Sequence, residues 1–243
     1  MTWYKDWFNS EYYLKVYKHR DESEAEKLVE LIETNIKLIH QSLVLDMACG
    51  AGRHAIAFAK KDYKVTAVDL SQRLLGEAKK NAMNAGVNIN FVLSDILDFQ
   101  TDKKFDLAVN LFTSIGYFES DEENYAVIKK ANSVLREEKF FVIDYFNKEF
   151  LLNNLIPTSI ISENGLKIIQ NRSIEGNRVV KKITIENDGS FKEFYESVRL
   201  YSFEEIKDMV KSTGFKIINE VGDFYGNSYK KETSPRLILI AKK

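Results

Sequence analysis

Apolar residues recur along this chain in two spacings that predict different elements. From residue 21 to residue 40 they follow the three-and-four spacing of an amphipathic helix, at Ala25, Leu28, Val29, Ile32, Ile36 and Ile39. Asp21 and Glu24 stand at the start of this segment like a capping pair. Continuous apolar runs follow, and they predict four short buried strands, over 42–47, 64–70, 89–93 and 105–111.

Helical patterns separate the first three of these strands. One follows the glycine-containing stretch at 50–55, and the next begins after Ser71, a residue type that is favoured as a helix N-cap. A further helix, at about 121–136, leads into a fifth strand at 140–145. Strands that alternate with helices pair in parallel through right-handed crossovers. The pattern therefore predicts an open α/β sheet with helices on both faces.

The alternation of strands and helices stops after the fifth strand. Three stretches of mixed alternation within 166–201 predict an antiparallel meander that is inserted into the α/β core. A helix that is capped by Ser202 and runs to about Ser212 follows the meander. Two last strands, at 215–221 and 236–241, complete the predicted elements.

No linker-like or low-complexity segment separates these parts of the chain, so we expect a single domain. We expect four parts within it. An N-terminal helical and aromatic segment occupies 1–41, and a ligand-binding core occupies 42–150. The insertion occupies 158–201, and a C-terminal helix with two strands occupies 202–243.

The stretch VLDMACGAGRHA, residues 44–55, joins the first predicted strand to the first helix of the core. Gly50, Gly52 and Ala55 match a permitted form of the dinucleotide fingerprint. In a dinucleotide site the first glycine follows the strand almost at once, whereas here the strand ends in Asp46, before three intervening residues. A carboxylate at that place repels a phosphate and favours a cation. S-adenosylmethionine carries an ammonium and a sulfonium and no phosphate, so it suits this loop.

Polar residues also end the next three predicted strands. Asp69 can accept hydrogen bonds from both hydroxyls of a ribose, which serves a dinucleotide as well as an adenosyl ligand. Asp95 can accept a hydrogen bond from an adenine amine, and its neighbour Ile96 can cover the ring. Asn110 ends the fourth strand. Open α/β sheets bind ligands at the carboxyl ends of their strands, so we expect an adenosine-containing ligand there.

In the segments LDMACGAGRHA, AVDLS, SDI and FDLAVNLFTSIGYF, the chain resembles the class I S-adenosylmethionine-dependent methyltransferases. The resemblance covers about 43–145. Among these enzymes the chain is most similar to small-molecule members such as the amino-sugar N,N-dimethyltransferases, which share the S-I-G-Y run, an aromatic N-terminal segment and an antiparallel insertion. The resemblance implies a Rossmann-like seven-stranded sheet with a reversed last strand, and S-adenosylmethionine as the cofactor.

The resemblance also implies which residues contact the cofactor. The methionine part would lie against Ala48, Gly50 and Gly52, and Arg20 or Arg53 would pair with its carboxylate. The full set that we expect is Tyr17, Arg20, Asp46, Ala48, Gly50, Gly52, Arg53, Asp69, Leu70, Asp95, Ile96, Asn110 and Leu111.

The expected reaction is an in-line methyl transfer to a small molecule. A sulfonium is an activated methyl donor, so the protein mainly has to position the acceptor. No Asp-His dyad is apparent in the sequence, which favours nitrogen over oxygen as the acceptor atom. Tyr117 and Tyr145 are the candidates for positioning it. An NAD-type oxidoreductase and a non-catalytic adenosyl-ligand binding protein are the alternatives.

Composition limits the partners and the location that we expect. The chain has 35 basic and 36 acidic residues, and this balance disfavours a nucleic-acid substrate. No run approaches the roughly 18 apolar residues of a membrane-spanning helix, and the N-terminus lacks a signal-peptide pattern. Cys49 is the single cysteine, and the three histidines are scattered, so we expect no metal site. A cytoplasmic enzyme, monomeric or homodimeric, is the expectation.

Overall fold

The computed structural model describes residues 3–18, 22–163, 165–187 and 189–243. Two β-sheets organise these residues, one of seven strands and one of four. The strands of the larger sheet are β1 (Leu43–Met47), β2 (Lys64–Asp69), β3 (Asn90–Leu93), β4 (Phe105–Asn110), β5 (Leu135–Phe146), β10 (Lys216–Val221) and β11 (Arg236–Lys242).

The order of strands in the larger sheet is β3-β2-β1-β4-β5-β11-β10. The first five strands pair in parallel, and β11 is antiparallel to both of its neighbours. The predicted Rossmann-like seven-stranded sheet with a reversed last strand is confirmed. Because strand order reverses between β1 and β4, the carboxyl ends of these strands flank the crevice in which such sheets bind ligands.

Two predicted strands differ from the observed ones in detail. β3 was expected to be buried, but it is the edge strand, and Leu93 at its end is 56% exposed. β5 starts at Leu135, earlier than the predicted residue 140. In the first part of β5, Leu135 pairs with Phe105, and the register of pairing with β4 then shifts. The exposed polar segment at this shift, which includes Glu138 at φ 64°, interrupts the apolar pattern from which the strand was predicted.

Helices cover both faces of this sheet, as predicted. One face carries α3 (Glu22–Asn35), α4 (Arg53–Lys60) and α5 (Gln72–Asn84), and the other carries α6 (Asp121–Val134) and α8 (Phe203–Ser212). Ser71 caps α5 by accepting a hydrogen bond from the amide of Leu74 at 3.1 Å. Ser202 and Glu205 form a complete capping box at the start of α8. Asp21, the predicted cap of α3, lies outside the described residues. Within the described ranges, no helix is both long enough and apolar enough to cross a bilayer.

The smaller sheet is the predicted insertion, with one strand more than expected. It is an antiparallel meander of β6 (Thr158–Glu163), β7 (Leu166–Glu175), β8 (Arg178–Asn187) and β9 (Ser190–Arg199). The additional strand is β6, an edge strand with mostly exposed side chains and therefore without a clear apolar alternation. A short helix, α7 (Lys148–Asn154), connects β5 to this sheet and was not predicted.

The N-terminal segment forms two short helices that dock on the smaller sheet. They are α1 (Trp3–Phe8) and α2 (Tyr13–Val16), and each is too short for a periodicity to be recognised. Trp7, Tyr12 and Val16 pack in one apolar cluster with Ile183 and Ile185 of β8. The segment is thereby held between the smaller sheet and the carboxyl edge of the larger one.

A buried polar cluster fixes this docking. Glu196 of β9 accepts a hydrogen bond from the indole of Trp7 at 2.6 Å and pairs with Lys181 at 2.5 Å. The hydroxyl of Tyr17 also donates to Glu196. Burial alone would raise the pKa of Glu196, but the Lys181 cation and the hydrogen bonds hold it below its ordinary value. Tyr17 is therefore anchored to an ionised carboxylate.

Candidate functional site

Two adjacent cavities lie at the carboxyl edge of the larger sheet. The larger cavity has a volume of about 380 Å³ and the smaller one of about 40 Å³. Their common wall consists of Phe8, Ala48, Asp69, Ser114 and Tyr117. The larger volume is in the range of sites that hold small molecules, and the position is the one at which open α/β sheets bind ligands.

The glycine loop between β1 and α4 passes along the larger cavity. Ala48 and Gly50 both line it, with φ values of 67° and 56°. No described heavy atom lies within 4 Å of the place that a Cβ of Gly50 would occupy. Gly52 has a different role, because its Cβ would lie 2.9 Å from the Cβ of Ala78 in α5. Gly50 thus leaves space beside the cavity, while Gly52 permits close packing of helices behind it.

Asp69, at the end of β2, ties this loop to the sheet. One of its carboxylate oxygens accepts a hydrogen bond from the amide of Gly50 at 2.7 Å, and the other accepts from the amide of Ser71 at 2.8 Å. Burial raises the pKa of Asp69, and these two hydrogen bonds oppose the increase. Each carboxylate oxygen can accept a second hydrogen bond, so Asp69 can still bind hydroxyl groups in the cavities that it lines.

The smaller cavity contains the predicted third-strand residues. Leu70, Asp95 and Ile96 line it together with Tyr4 and Phe118, whose ring centroids are 5.8 Å apart. The cavity thus combines an acidic residue with apolar and aromatic surfaces, which is the combination that an adenine ring requires. Tyr4 and Phe118 were not anticipated from the sequence, because nothing in their local pattern shows that two distant segments meet here.

Asp46, the last residue but one of β1, and Asn110, the last residue of β4, line neither cavity as described. Each is 1% exposed, and each has one oxygen without a hydrogen-bond partner among the described residues, Oδ2 of Asp46 and Oδ1 of Asn110. The amide of Asn110 donates to the carbonyl of Met47 at 3.0 Å. Burial, reinforced by the neighbouring charge of Asp69, raises the pKa of Asp46 to about 7. A nearby cation would therefore be stabilising.

Arg53 and Leu111 line the larger cavity. Arg53 pairs with Glu24 of α3 at 2.5 Å, and its guanidinium lies 4.2 Å from the ring centroid of Phe112. These contacts orient the guanidinium beside the cavity, where Arg–carboxylate recognition is favourable. Arg20, the other predicted partner of a cofactor carboxylate, lies outside the described residues.

The two tyrosines proposed from the sequence lie in different surroundings. Tyr117 lines both cavities and packs its ring against Phe8 and Trp3. Tyr145 is fully buried, lines neither cavity, and donates its hydroxyl hydrogen to the backbone carbonyl of Arg199. Of the two tyrosines, Tyr117 thus lines the cavities and Tyr145 does not, as far as the described residues go.

Four aromatic rings form a continuous wall of the larger cavity, and we call them the aromatic wall: Phe8, Tyr13, Tyr17 and Tyr117. Successive ring centroids are 5.5, 5.1 and 4.9 Å apart along the order Tyr117, Phe8, Tyr13, Tyr17. The sequence shows that the N-terminal segment is aromatic, but Tyr17 alone was selected from it. Phe8 and Tyr13 come to the cavity because their segment docks on the smaller sheet.

Comparison with known proteins identifies the chemistry of this edge. Residues 44–138, from β1 into β5, match the family described as "Methyltransferase domain". Residues 44–138 therefore form a methyltransferase domain, and its cofactor is S-adenosylmethionine.

Relatives of this methyltransferase match over most of its length. A putative methyltransferase of Geobacillus sp. (strain WCH70) is 24% identical and covers 82% of this chain and 84% of the relative. The dTDP-3-amino-3,4,6-trideoxy-alpha-D-glucopyranose N,N-dimethyltransferase of Streptomyces venezuelae is 24% identical, over 73% of this chain and 75% of the relative. The crystal structure of an S-adenosylmethionine-dependent methyltransferase from Clostridium acetobutylicum superimposes with a TM-score of 0.79, at 21% identity and 95% coverage of both chains. The two proteins therefore share their fold over 95% of this chain.

The residues at this edge fit the cofactor of the methyltransferase. The buried Asp46 has an oxygen without a described partner and a raised pKa, as expected of a carboxylate whose neutralising cation is a ligand. Gly50 leaves room for the ligand at the surface of the loop. Asp69 has acceptor capacity for a ribose. When it is bound, S-adenosylmethionine supplies a methyl group that is activated on a sulfonium sulfur.

Proposed function

We propose that this methyltransferase transfers the methyl group of S-adenosylmethionine to a nitrogen atom of a small molecule. The observation that carries the proposal is the aromatic wall of the larger cavity. Methyl transfer from a sulfonium to a neutral amine moves a positive charge onto the nitrogen. The faces of aromatic rings attract such a charge, so the wall favours an amine over a hydroxyl acceptor.

The proposed arrangement of the cofactor follows the walls of the two cavities. Asp69 and Leu70 would bind the ribose, and Asp95 with Ile96 would bind the adenine in the smaller cavity. The methionine part would lie along Ala48 and the glycine loop, with Asp46 supplying negative charge from beneath. Arg53, Asn110, Leu111 and Tyr17 are the other proposed contacts. This placement leaves Tyr117 at the junction where the cavities meet, next to the reacting groups.

The chain's residues would act by positioning rather than by proton transfer. The acceptor amine binds in its neutral form, and its lone pair forms the new C–N bond as the C–S bond breaks and its electron pair remains on sulfur. The ammonium that results releases a proton to solvent after transfer. Holding the amine in line contributes several powers of ten in rate, and an amine needs no separate general base.

Two further observations support a small acceptor that carries an amine. The N-terminal segment, which packs on the smaller sheet, lines the larger cavity through Phe8, Tyr13 and Tyr17. A relative that matches 73% of this chain is named as an amino-sugar N,N-dimethyltransferase. The balance of 35 basic and 36 acidic residues gives no general attraction to a nucleic acid.

Incubation with methyl-labelled S-adenosylmethionine and paired acceptors tests this proposal. Each small amine, including amino sugars and amino acids, is paired with the analogue in which a hydroxyl group replaces the amino group. We expect label in amines alone, and a kcat/KM that rises with pH until the acceptor amine is fully deprotonated. Mass spectrometry of the products measures the transfer. Label that enters the alcohols and not the amines would contradict the choice of nitrogen.

A further inference from the structure

The turn that carries Tyr117 is held by one side chain of the smaller sheet. We call residues 116–118 the Tyr117 turn. Arg178, at the start of β8, donates to all three of its carbonyl groups, at 2.9 Å for Gly116, 3.4 Å for Tyr117 and 3.2 Å for Phe118. A guanidinium presents several donors in a rigid plane, so it can fix three successive carbonyls at once.

Arg178 is itself held in place on its own sheet. Its Nε donates to the hydroxyl of Ser197 in β9 at 2.7 Å, and Nη2 donates to the carbonyl of the same residue at 2.9 Å. Burial lowers the pKa of the Arg178 guanidinium, which remains a cation at physiological pH. Ser197 and Arg178 thus form a rigid support that reaches from the smaller sheet to the Tyr117 turn.

Both ends of the turn have other supports as well. The amide of Gly116 donates to Asn124 at 2.7 Å, and its carbonyl accepts from the amide of Arg199 at 2.9 Å. Gly116 has φ 97°, and a Cβ there would lie 3.0 Å from a methyl of Val198. The carbonyl of Phe118 also accepts from the side-chain amide of Asn124 at 3.3 Å, whereas Arg178 donates to the carbonyls of all three residues of the turn.

We infer that Arg178 is a positioning residue of the cofactor site, which acts by holding Tyr117 at the junction of the two cavities. Arg178 lines neither cavity as described, whereas Tyr117 and Phe118 line the smaller one. The inserted sheet is thereby part of the machinery that shapes the cofactor site. This inference goes beyond the proposed function and does not depend on which atom accepts the methyl group.

Arg172 provides a matched control on the same sheet. It donates to the carbonyl of Ile156, to the hydroxyl of Ser159 and to the side chain of Gln170. These partners belong to the smaller sheet or to the segment just before it, and none is part of the Tyr117 turn. Arg178→Met and Arg172→Met therefore each remove a hydrogen-bonded guanidinium from the same sheet, and only the first removes hydrogen bonds to the Tyr117 turn.

The experiment measures the affinity of the full chain for S-adenosylhomocysteine by calorimetry, so no acceptor is needed. We expect Arg178→Met to weaken binding about tenfold and Arg172→Met to leave it within about twofold, since small displacements at a site have effects of at least this size. Free guanidinium added to Arg178→Ala should restore part of the affinity. Arg178→Lys, which keeps the charge and loses the planar donors, should bind more weakly than wild type. Thermal unfolding shows which variants are folded. If Arg178→Met is not folded, Arg178→Lys takes its place in the comparison with wild type.

A double-mutant cycle with Tyr117→Ala separates positioning from general stability. If Arg178 acts through Tyr117, its replacement has little further effect on affinity once Tyr117 is gone. Equal losses in both backgrounds would overturn the inference. Wild-type affinity in both Arg178→Met and Arg178→Lys would overturn it as well.

Discussion

Asp69→Ala is expected to abolish measurable binding of S-adenosylmethionine while the larger sheet still forms. The side chain lines both cavities, and it is the proposed acceptor for the two ribose hydroxyls. Two charge-assisted hydrogen bonds contribute about 1.5–3 kcal/mol each, so their loss weakens binding by about a hundredfold or more. The glycine loop also loses its tie to β2, because Gly50 donates to this carboxylate at 2.7 Å.

The same substitution should lower stability moderately. The amides of Gly50 and Ser71 lose their acceptor, at a cost of about 1–3 kcal/mol for each amide that remains buried and unpaired. Asp98→Ala is the control, since Asp98 is an exposed acid of the same edge that lines neither cavity as described. Calorimetry measures the affinity, and thermal unfolding confirms that both variants are folded. An Asp69→Ala protein that binds the cofactor as tightly as wild type would refute the ribose assignment.

Asp46→Asn is expected to stabilise the cofactor-free protein at alkaline pH and to weaken its binding of S-adenosylmethionine. Burial and the charge of Asp69 raise the pKa of Asp46 from 3.8 to about 7 in the folded protein. A group whose pKa rises on folding contributes its full stability below the unfolded value, and this contribution is lost as pH rises through the folded value. Stability from Asp46 therefore decreases between about pH 4 and pH 7, by up to about 4 kcal/mol.

Denaturant unfolding at two pH values measures this effect. At about pH 8 we expect Asp46→Asn to be more stable than wild type, and at about pH 4 the two proteins should be nearly equal. Asp106→Asn is a control for which we expect a change in stability of the opposite sign. Despite partial burial, Arg136 and the amide of Leu43 hold the pKa of Asp106 below its ordinary value. This variant should lose stability at about pH 8. No gain for Asp46→Asn at alkaline pH would mean that the buried carboxylate is already neutralised by the protein.

The core of the fold could be predicted because its elements are each specified locally. Apolar runs bounded by caps and glycines define β1, β2 and β4, and Ser71 and Ser202 cap helices as their sequence context indicates. β6 could not be predicted in this way, because an edge strand in a small sheet buries too few side chains to show a pattern. α1 and α2 are shorter than the window over which periodicity can be recognised.

Most of the cavity-lining residues that could be predicted lie on strand ends or on the glycine loop. Asp69, Asp95 and Ile96 line the cavities because residues at the carboxyl ends of parallel strands share one edge. Asp46 was expected beside the ligand; it is 1% exposed and lines neither cavity as described, so its contact with the cofactor stays a prediction.

Residues that reach the site from distant segments left no signal in the sequence. Phe8 and Tyr13 come to the larger cavity because α1 and α2 dock on the smaller sheet through Glu196 and its partners. Arg178 bonds to Gly116 of the Tyr117 turn across 62 positions of the chain. Contacts of this kind depend on tertiary packing, which local spacing does not encode.

Titration of the wild-type protein with S-adenosylmethionine and with NAD, by calorimetry under the same conditions, tests the central claim most directly. The claim is that the acidic glycine loop, with Asp46 and Asp69, binds a cationic adenosyl ligand and not a dinucleotide. The account predicts binding of S-adenosylmethionine at one site per chain and no measurable heat with NAD. Tight binding of NAD without binding of S-adenosylmethionine would contradict it.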